Sequence, residues 1–217
     1  MKTTILFDLD GTLLYTIKDI KYCLNEIITK YGYDAVDEQT TLKCIGYGAR
    51  ELIRRATCEE NAEVVDKMLK EYLVVQQACD NSKTELYPGL NELLPMLKKD
   101  GYKLGIVSNK PDSATQVVYK QLLSNYNFDF VTGCVDYLSP KPSADLVNLC
   151  LEKLNSTKEE TLYVGDSEVD VKTFVNAKVD GIGVLWGYRQ KELLEKEGCK
   201  NFANNTNELY EIIKSFR

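Results

Sequence analysis

Ten residues near the start of the chain, ILFDLDGTLL, run three apolar side chains into two aspartates, Asp8 and Asp10. Two carboxylates at the tip of a buried strand repel each other and lose hydration, so something positive must compensate. Similar clusters recur downstream. Ser108, Asn109 and Lys110 follow the apolar run KLGIV, Lys141 stands between two prolines, and Asp166, Ser167 and Asp170 follow TLYVG. In extended chain, positions i and i+2 point the same way, so Asp8 and Asp10 can reach one pocket. Asp166 adds a third acid. A hard divalent cation with oxygen ligands, chiefly Mg²⁺, resolves the repulsion. Acids, a cation, lysines and a small hydroxyl together suit a phosphoryl group. Two carboxylates then divide the work: an ionised one attacks phosphorus, and one that carries a proton serves the leaving oxygen and later water. Asp10 is the candidate for the second duty. Gly11 permits a tight turn beside the substrate.

The composition narrows the alternatives. Of 217 residues, none is histidine, which excludes Ser-His-Asp and Cys-His catalysis and His-ligated zinc. The formal net charge of −6, without a Lys/Arg-rich run, argues against a nucleic-acid partner. The seven cysteines are scattered without a CxxC pair and read as free thiols of a reducing, cytoplasmic setting. No apolar run is long enough for a membrane span, and MKTTILFDLD lacks the apolar region of a signal peptide. GIGVLWG misses the GxGxxG spacing, and there is no P-loop. The oligomeric state, monomer or dimer, is not written in the chain.

Strand and helix alternate after residue 85. Strands are expected at 103–108, 128–131, 161–165 and 181–185, joining a first strand at 4–9, with helices at 89–100, 111–123, 143–154, 168–178 and 206–216. This pattern implies an α/β fold, a Rossmann-like parallel sheet with helices on both faces. Thr16 to Asp19 fits a capping box that opens a helical stretch running to about residue 83. The expected organisation is a core of residues 1–15 and 85–217 with an all-helical cap at 16–84. In such sheets ligands gather beyond the carboxyl ends of the strands. The polar clusters fall at those ends.

Taken together, FDLDGT (7–12), VSNK (107–110), PKP (140–142) and VGDSEVD (164–170) resemble, in order, the motifs of the haloacid dehalogenase-like hydrolases, mostly phosphatases. The likeness spans nearly the whole chain, and the helical insert matches the cap of that superfamily. SNKP at 108–111 and LWGYR at 185–189 are similar to its phosphoglycolate phosphatase group. The resemblance implies Asp8 as nucleophile and metal ligand, and Asp10 as general acid/base and a ligand through its carbonyl. It further implies Ser108 and Lys141 as holders of the phosphoryl group, Asp166 as metal ligand and Asp170 as support of the metal site. Thr12 and Asn109 would fix the loops around the phosphate, with Gly11 and Ser167 supporting. Tyr15 and Thr16 stand where many relatives carry an acid and Ser, and Tyr163 replaces a relative's histidine.

The expected activity is Mg²⁺-dependent hydrolysis of a small phosphorylated metabolite, with phosphoglycolate the leading substrate, through an aspartyl-phosphate. A phosphomutase or a pyrophosphatase uses similar residues. A non-catalytic receiver-type switch also combines acids, a hydroxyl and a lysine, but needs no cap. Asp10 disfavours a dehalogenase. Gly46, Gly48 and Arg50 form a candidate substrate-binding loop in the cap, against a plainer reading as turn glycines between helices.

Overall fold

The computed structural model describes residues 1–216. In chain order the elements are β1 (Thr4–Phe7), β2 (Leu14–Tyr15), α1 (Ile17–Ile28), α2 (Glu38–Cys44), α3 (Ala49–Thr57), α4 (Ala62–Ala78), β3 (Glu85–Leu86), α5 (Leu90–Lys99), β4 (Lys103–Pro111), α6 (Asp112–Val118), β5 (Phe130–Cys134), α7 (Asp145–Leu154), β6 (Thr161–Gly165), α8 (Glu168–Ala177), β7 (Asp180–Val184), α9 (Lys191–Lys196), β8 (Phe202–Ala203) and α10 (Thr206–Ser215). Among the described residues the main sheet has six parallel strands in the order β5-β4-β1-β6-β7-β8.

The strand period of two explains why both faces are covered. Ile5 and Phe7 join Leu104, Ile106, Leu162 and Val164 in a cluster with α5 and α10. Leu6, pointing the other way, joins Tyr163 and the apolar residues of α7 and α8. Each such side chain removed from water contributes about 1.5–3 kcal/mol, which is why the four residues of β1 are inaccessible to solvent although the strand is short. The helical insert has its own apolar cluster, centred on Leu24, Ile28, Ile53, Met68 and Tyr72.

Several local features differ from the sequence-based expectation. Thr16 occupies the N-cap position of α1, but its side chain caps nothing. Its backbone N–H and hydroxyl instead meet the Tyr188 hydroxyl at 2.8 and 3.2 Å. Asp19 accepts from Lys83 N (3.1 Å) and Thr84 Oγ1 (2.7 Å), tying together the two ends of the insert. Beside this tie, β2 and β3 pair antiparallel, a two-residue ribbon too short for periodicity to mark. The same limit hid α9 and β8. β4 continues past Ser108 to Pro111, with its register broken between Val107 and Pro111. That break frees residues 108–110 from regular pairing with β5 at the edge where the site forms.

Candidate active site

The site lies at the carboxyl edge of the three central strands. Asp8 directly follows β1 and its N–H donates to Val164 O at 2.9 Å, so the ladder holds its backbone. The chain then folds back sharply: Leu13 and Leu14 N–H groups reach Leu9 O, and Gly11 N–H reaches Leu14 O. Gly11 has φ +91°, and a Cβ there would stand 2.5 Å from the Asp166 carboxylate. Only glycine satisfies both the turn and that close approach. On the other side, a Cβ at Gly187 would collide with the Asp166 side chain. Two glycines thus make room for one buried carboxylate.

Lys141 is the central cation, 3% exposed. Its Nζ lies 2.7 Å from Asp8 Oδ1, 2.8 Å from Asp170 Oδ1 and 3.1 Å from the Tyr163 hydroxyl. Asn109 holds the lysine's backbone in place: its Oδ1 accepts from Lys141 N (2.7 Å), and its Nδ2 donates to Lys141 O (2.8 Å). The same Nδ2 also reaches Gly46 O of the insert, at 2.9 Å. Asp166 is fixed by Thr12 Oγ1 (3.0 Å) and by the Tyr188 N–H (2.7 Å). Ser167 caps α8 in a reciprocal box with Asp170, whose Oδ2 accepts from both the backbone and the hydroxyl of Ser167. Ser108 is buried, lines the cavity and accepts the Lys110 N–H at 3.1 Å. Asp10 turns toward Lys110, with Nζ 3.2 Å from each carboxylate oxygen.

Asp8, Asp166 and Asp170 each offer an oxygen within 4.8 Å of the others, and all three are buried. Against their three charges stands Lys141. Burial pushes Asp8 well above the usual carboxylate range; Asp170 and Asp166 add to this, while Lys141 opposes it. Burial also pushes Asp166 up to about 7, with Asp170 adding, and the Tyr188 N–H, the Thr12 hydroxyl and Arg189 pulling back. For Lys141, burial disfavours the charged form, but Asp170 and Asp8 outweigh it and the ammonium is held well above its usual range. An all-oxygen cluster short of positive charge, with a cradle that a Cβ would fill, fits a hard divalent cation.

The structure thus gathers Asp8, Asp10, Gly11, Thr12, Ser108, Asn109, Lys141, Asp166, Ser167 and Asp170 at one edge. It does not bring Arg50 there. Arg50 is exposed and pairs with Asp66 at 2.8 Å, so it is no part of the cavity wall, although Gly46 and Gly48 are. Helix α3 turns its Leu52 and Ile53 inward and leaves Arg50 on the outer face. The carboxylate grouped with Asp8 and Asp166 is that of Asp170, expected as a support, whereas the Asp10 side chain is paired with Lys110.

Sequence reasoning missed Arg189 and Glu168. Arg189 pairs with Glu168 (3.0 Å) and donates to Leu42 O (2.8 Å) and Ile45 O (3.1 Å), fastening the insert over the site. The Tyr47 hydroxyl reaches the same Glu168 at 3.2 Å. An arginine after an aromatic run at a strand end was the available signal.

Residues 5–184 match the haloacid dehalogenase-like hydrolase family. The chain belongs to the haloacid dehalogenase-like hydrolases and is a phosphatase of that family. Within it the chain falls in the phosphoglycolate phosphatase-like group. It is 35% identical over 186 residues to a phosphoglycolate phosphatase of Aquifex aeolicus, covering 85% of each chain. With the phosphoglycolate phosphatase of Colwellia psychrerythraea it shares 28% identity over 222 residues, covering 98% of this chain and 97% of that one. A haloacid dehalogenase-like family hydrolase from Streptococcus pneumoniae has the same fold, with a TM-score of 0.85 over 100% of this chain and 99% of that one, at 22% identity. No helix among the described residues is long and apolar enough to cross a membrane.

Proposed function

We propose that this phosphatase hydrolyses a small phosphomonoester with Mg²⁺, through a phosphorylated Asp8. The observation that carries the reading is the convergence of Asp8, Asp166 and Asp170 on Lys141, beside Ser108 and the Asn109 clamp. Asp8, Asp166 and the carbonyl of Asp10 would hold the cation, with Asp170 beside them. When bound, Mg²⁺ supplies positive charge that offsets acid–acid repulsion and the charge of the phosphoryl oxygens.

The chain's own residues divide the remaining work. Lys141 pulls Asp8 toward its ionised form against the effect of burial and meets the phosphoryl oxygens, with Ser108 as a hydroxyl donor. An Asp8 oxygen forms a bond to phosphorus as the ester P–O bond breaks, and the proton of Asp10 passes to the leaving oxygen. The Asp10 carboxylate then takes a proton from water, whose oxygen bonds to phosphorus and releases Asp8. Lys110 steers Asp10 into the cavity. The insert closes over the site and excludes bulk water.

Phosphoglycolate, the ester in the names of the relatives, is the first substrate to try. The test is phosphate release from a panel of phosphomonoesters and pyrophosphate with and without Mg²⁺, with Asp8→Asn as control. Cation-dependent release that Asp8→Asn abolishes supports the reading. Equal release by Asp8→Asn refutes it, and return of phosphate to a second hydroxyl without free phosphate marks a mutase.

A further inference from the structure

The two walls of the cavity differ in kind. From the sheet side come three cations, each already engaged: Lys110 with Asp10, Lys141 with Asp8 and Asp170, and Arg189 with Glu168. The wall supplied by the insert includes Ile20, Ile45, Ala49, Leu52, Tyr72 and Gln76, and among the described residues it contributes no charged side chain. Its polar feature is a pair on α4. Gln76 Nε2 donates to the Tyr72 hydroxyl at 3.0 Å. Gln76 Oε1 is then left buried without a partner, on a residue 8% exposed. Among the described residues it is the one buried side-chain nitrogen or oxygen in that condition. A buried acceptor without a donor is costly, and a hydroxyl from a bound molecule is the natural complement.

Building on the phosphatase reading, we propose that this wall selects esters with a small, uncharged, hydroxyl-bearing leaving group, whose O–H donates to Gln76 Oε1, over esters whose far end is a carboxylate. The phosphoryl dianion and the acids of the site account for the nearby cations. A second negative charge would face aliphatic side chains and a carbonyl-type oxygen, and the cation beside Gln76, Lys110, is already paired with Asp10, so little would offset its lost hydration. The cavity, about 60 Å³, favours a small leaving group.

The experiment uses two esters of matched length, 2-hydroxyethyl phosphate and phosphoglycolate, with p-nitrophenyl phosphate as a control for the reaction itself. For the unaltered protein with Mg²⁺, kcat/KM for the hydroxyethyl ester should exceed that for phosphoglycolate by about 10-fold or more. Gln76→Met, similar in volume, should shrink that ratio toward one. Gln76→Lys, which places a cation on the neutral wall, should invert it. Each ratio is internal to one variant, so partial loss of folded protein cancels. Turnover of the aryl ester with phosphoglycolate the better small substrate overturns this inference alone, as does a ratio that Gln76→Met and Gln76→Lys leave unchanged. No Mg²⁺-dependent turnover of any ester overturns the phosphatase reading and this inference with it.

Discussion

Raising the pH without a divalent cation should weaken the protein, and Mg²⁺ should cancel the effect. Asp166 is held at about 7 against an ordinary 3.8, and Asp8 is displaced the same way. Between those two values the native state binds protons that the unfolded chain has lost, so acidification favours the native state. The contribution is fullest below the unfolded value and disappears as pH rises through the folded one. For Asp166 alone, going from about pH 5.5 to about pH 8 should remove about 2 kcal/mol. In a chain of this size that is about 4–8 °C in Tm. No histidine titration overlaps this window, because the chain contains none. Ordinary carboxylates have finished titrating and lysines have not begun. The assay is thermal unfolding followed by circular dichroism across this range, in EDTA and in excess Mg²⁺. In EDTA, Tm should fall as pH rises. With Mg²⁺ the gain in Tm should be largest at high pH, where the cation no longer competes with protons. A Tm in EDTA that is flat or climbs toward pH 8 refutes the electrostatic account of the cluster.

Other perturbations probe separate parts of the site. Asp8→Asn should reduce kcat by more than about 1,000-fold while keeping the native circular dichroism spectrum. Lys141→Met leaves Asp8 and Asp170 buried without their cation; it should cost about 3–5 kcal/mol in a urea titration, with part recovered on adding Mg²⁺. Gly11→Ala places a methyl group against Asp166 at φ +91°, and Mg²⁺ should then produce a much smaller rise in Tm than in the unaltered protein. Arg189→Ala frees the carbonyls of Leu42 and Ile45, and amide exchange at residues 42–48 should quicken severalfold while the sheet stays protected.

The sheet was legible because buried parallel strands are short apolar runs bounded by polar residues, as TILF and TLYVG are. The acids were legible because strand ends at one edge converge by topology, whatever the distance in sequence. The insert was legible as helix, but its contacts were not. Periodicity marks the face a helix buries, and says nothing of which loop lies opposite. Thus Asp19 looked like a cap and is a tie between chain ends, while Arg50 looked like a substrate contact and lies outside. Arg189 binds carbonyls of a segment more than a hundred residues earlier in the chain, a contact that local pattern does not encode.

Both chain crossings between the sheet and the helical insert run through β2 and β3, bonded side by side and locked by Asp19. Two antiparallel straps joined along their length flex about one axis and resist shear between them. Whatever swings on such a strap swings as a single piece along one arc, as a door does on a pinned hinge. Each swing away from the sheet must also part Asn109 from Gly46, so the latch of that door sits beside the backbone of the central lysine.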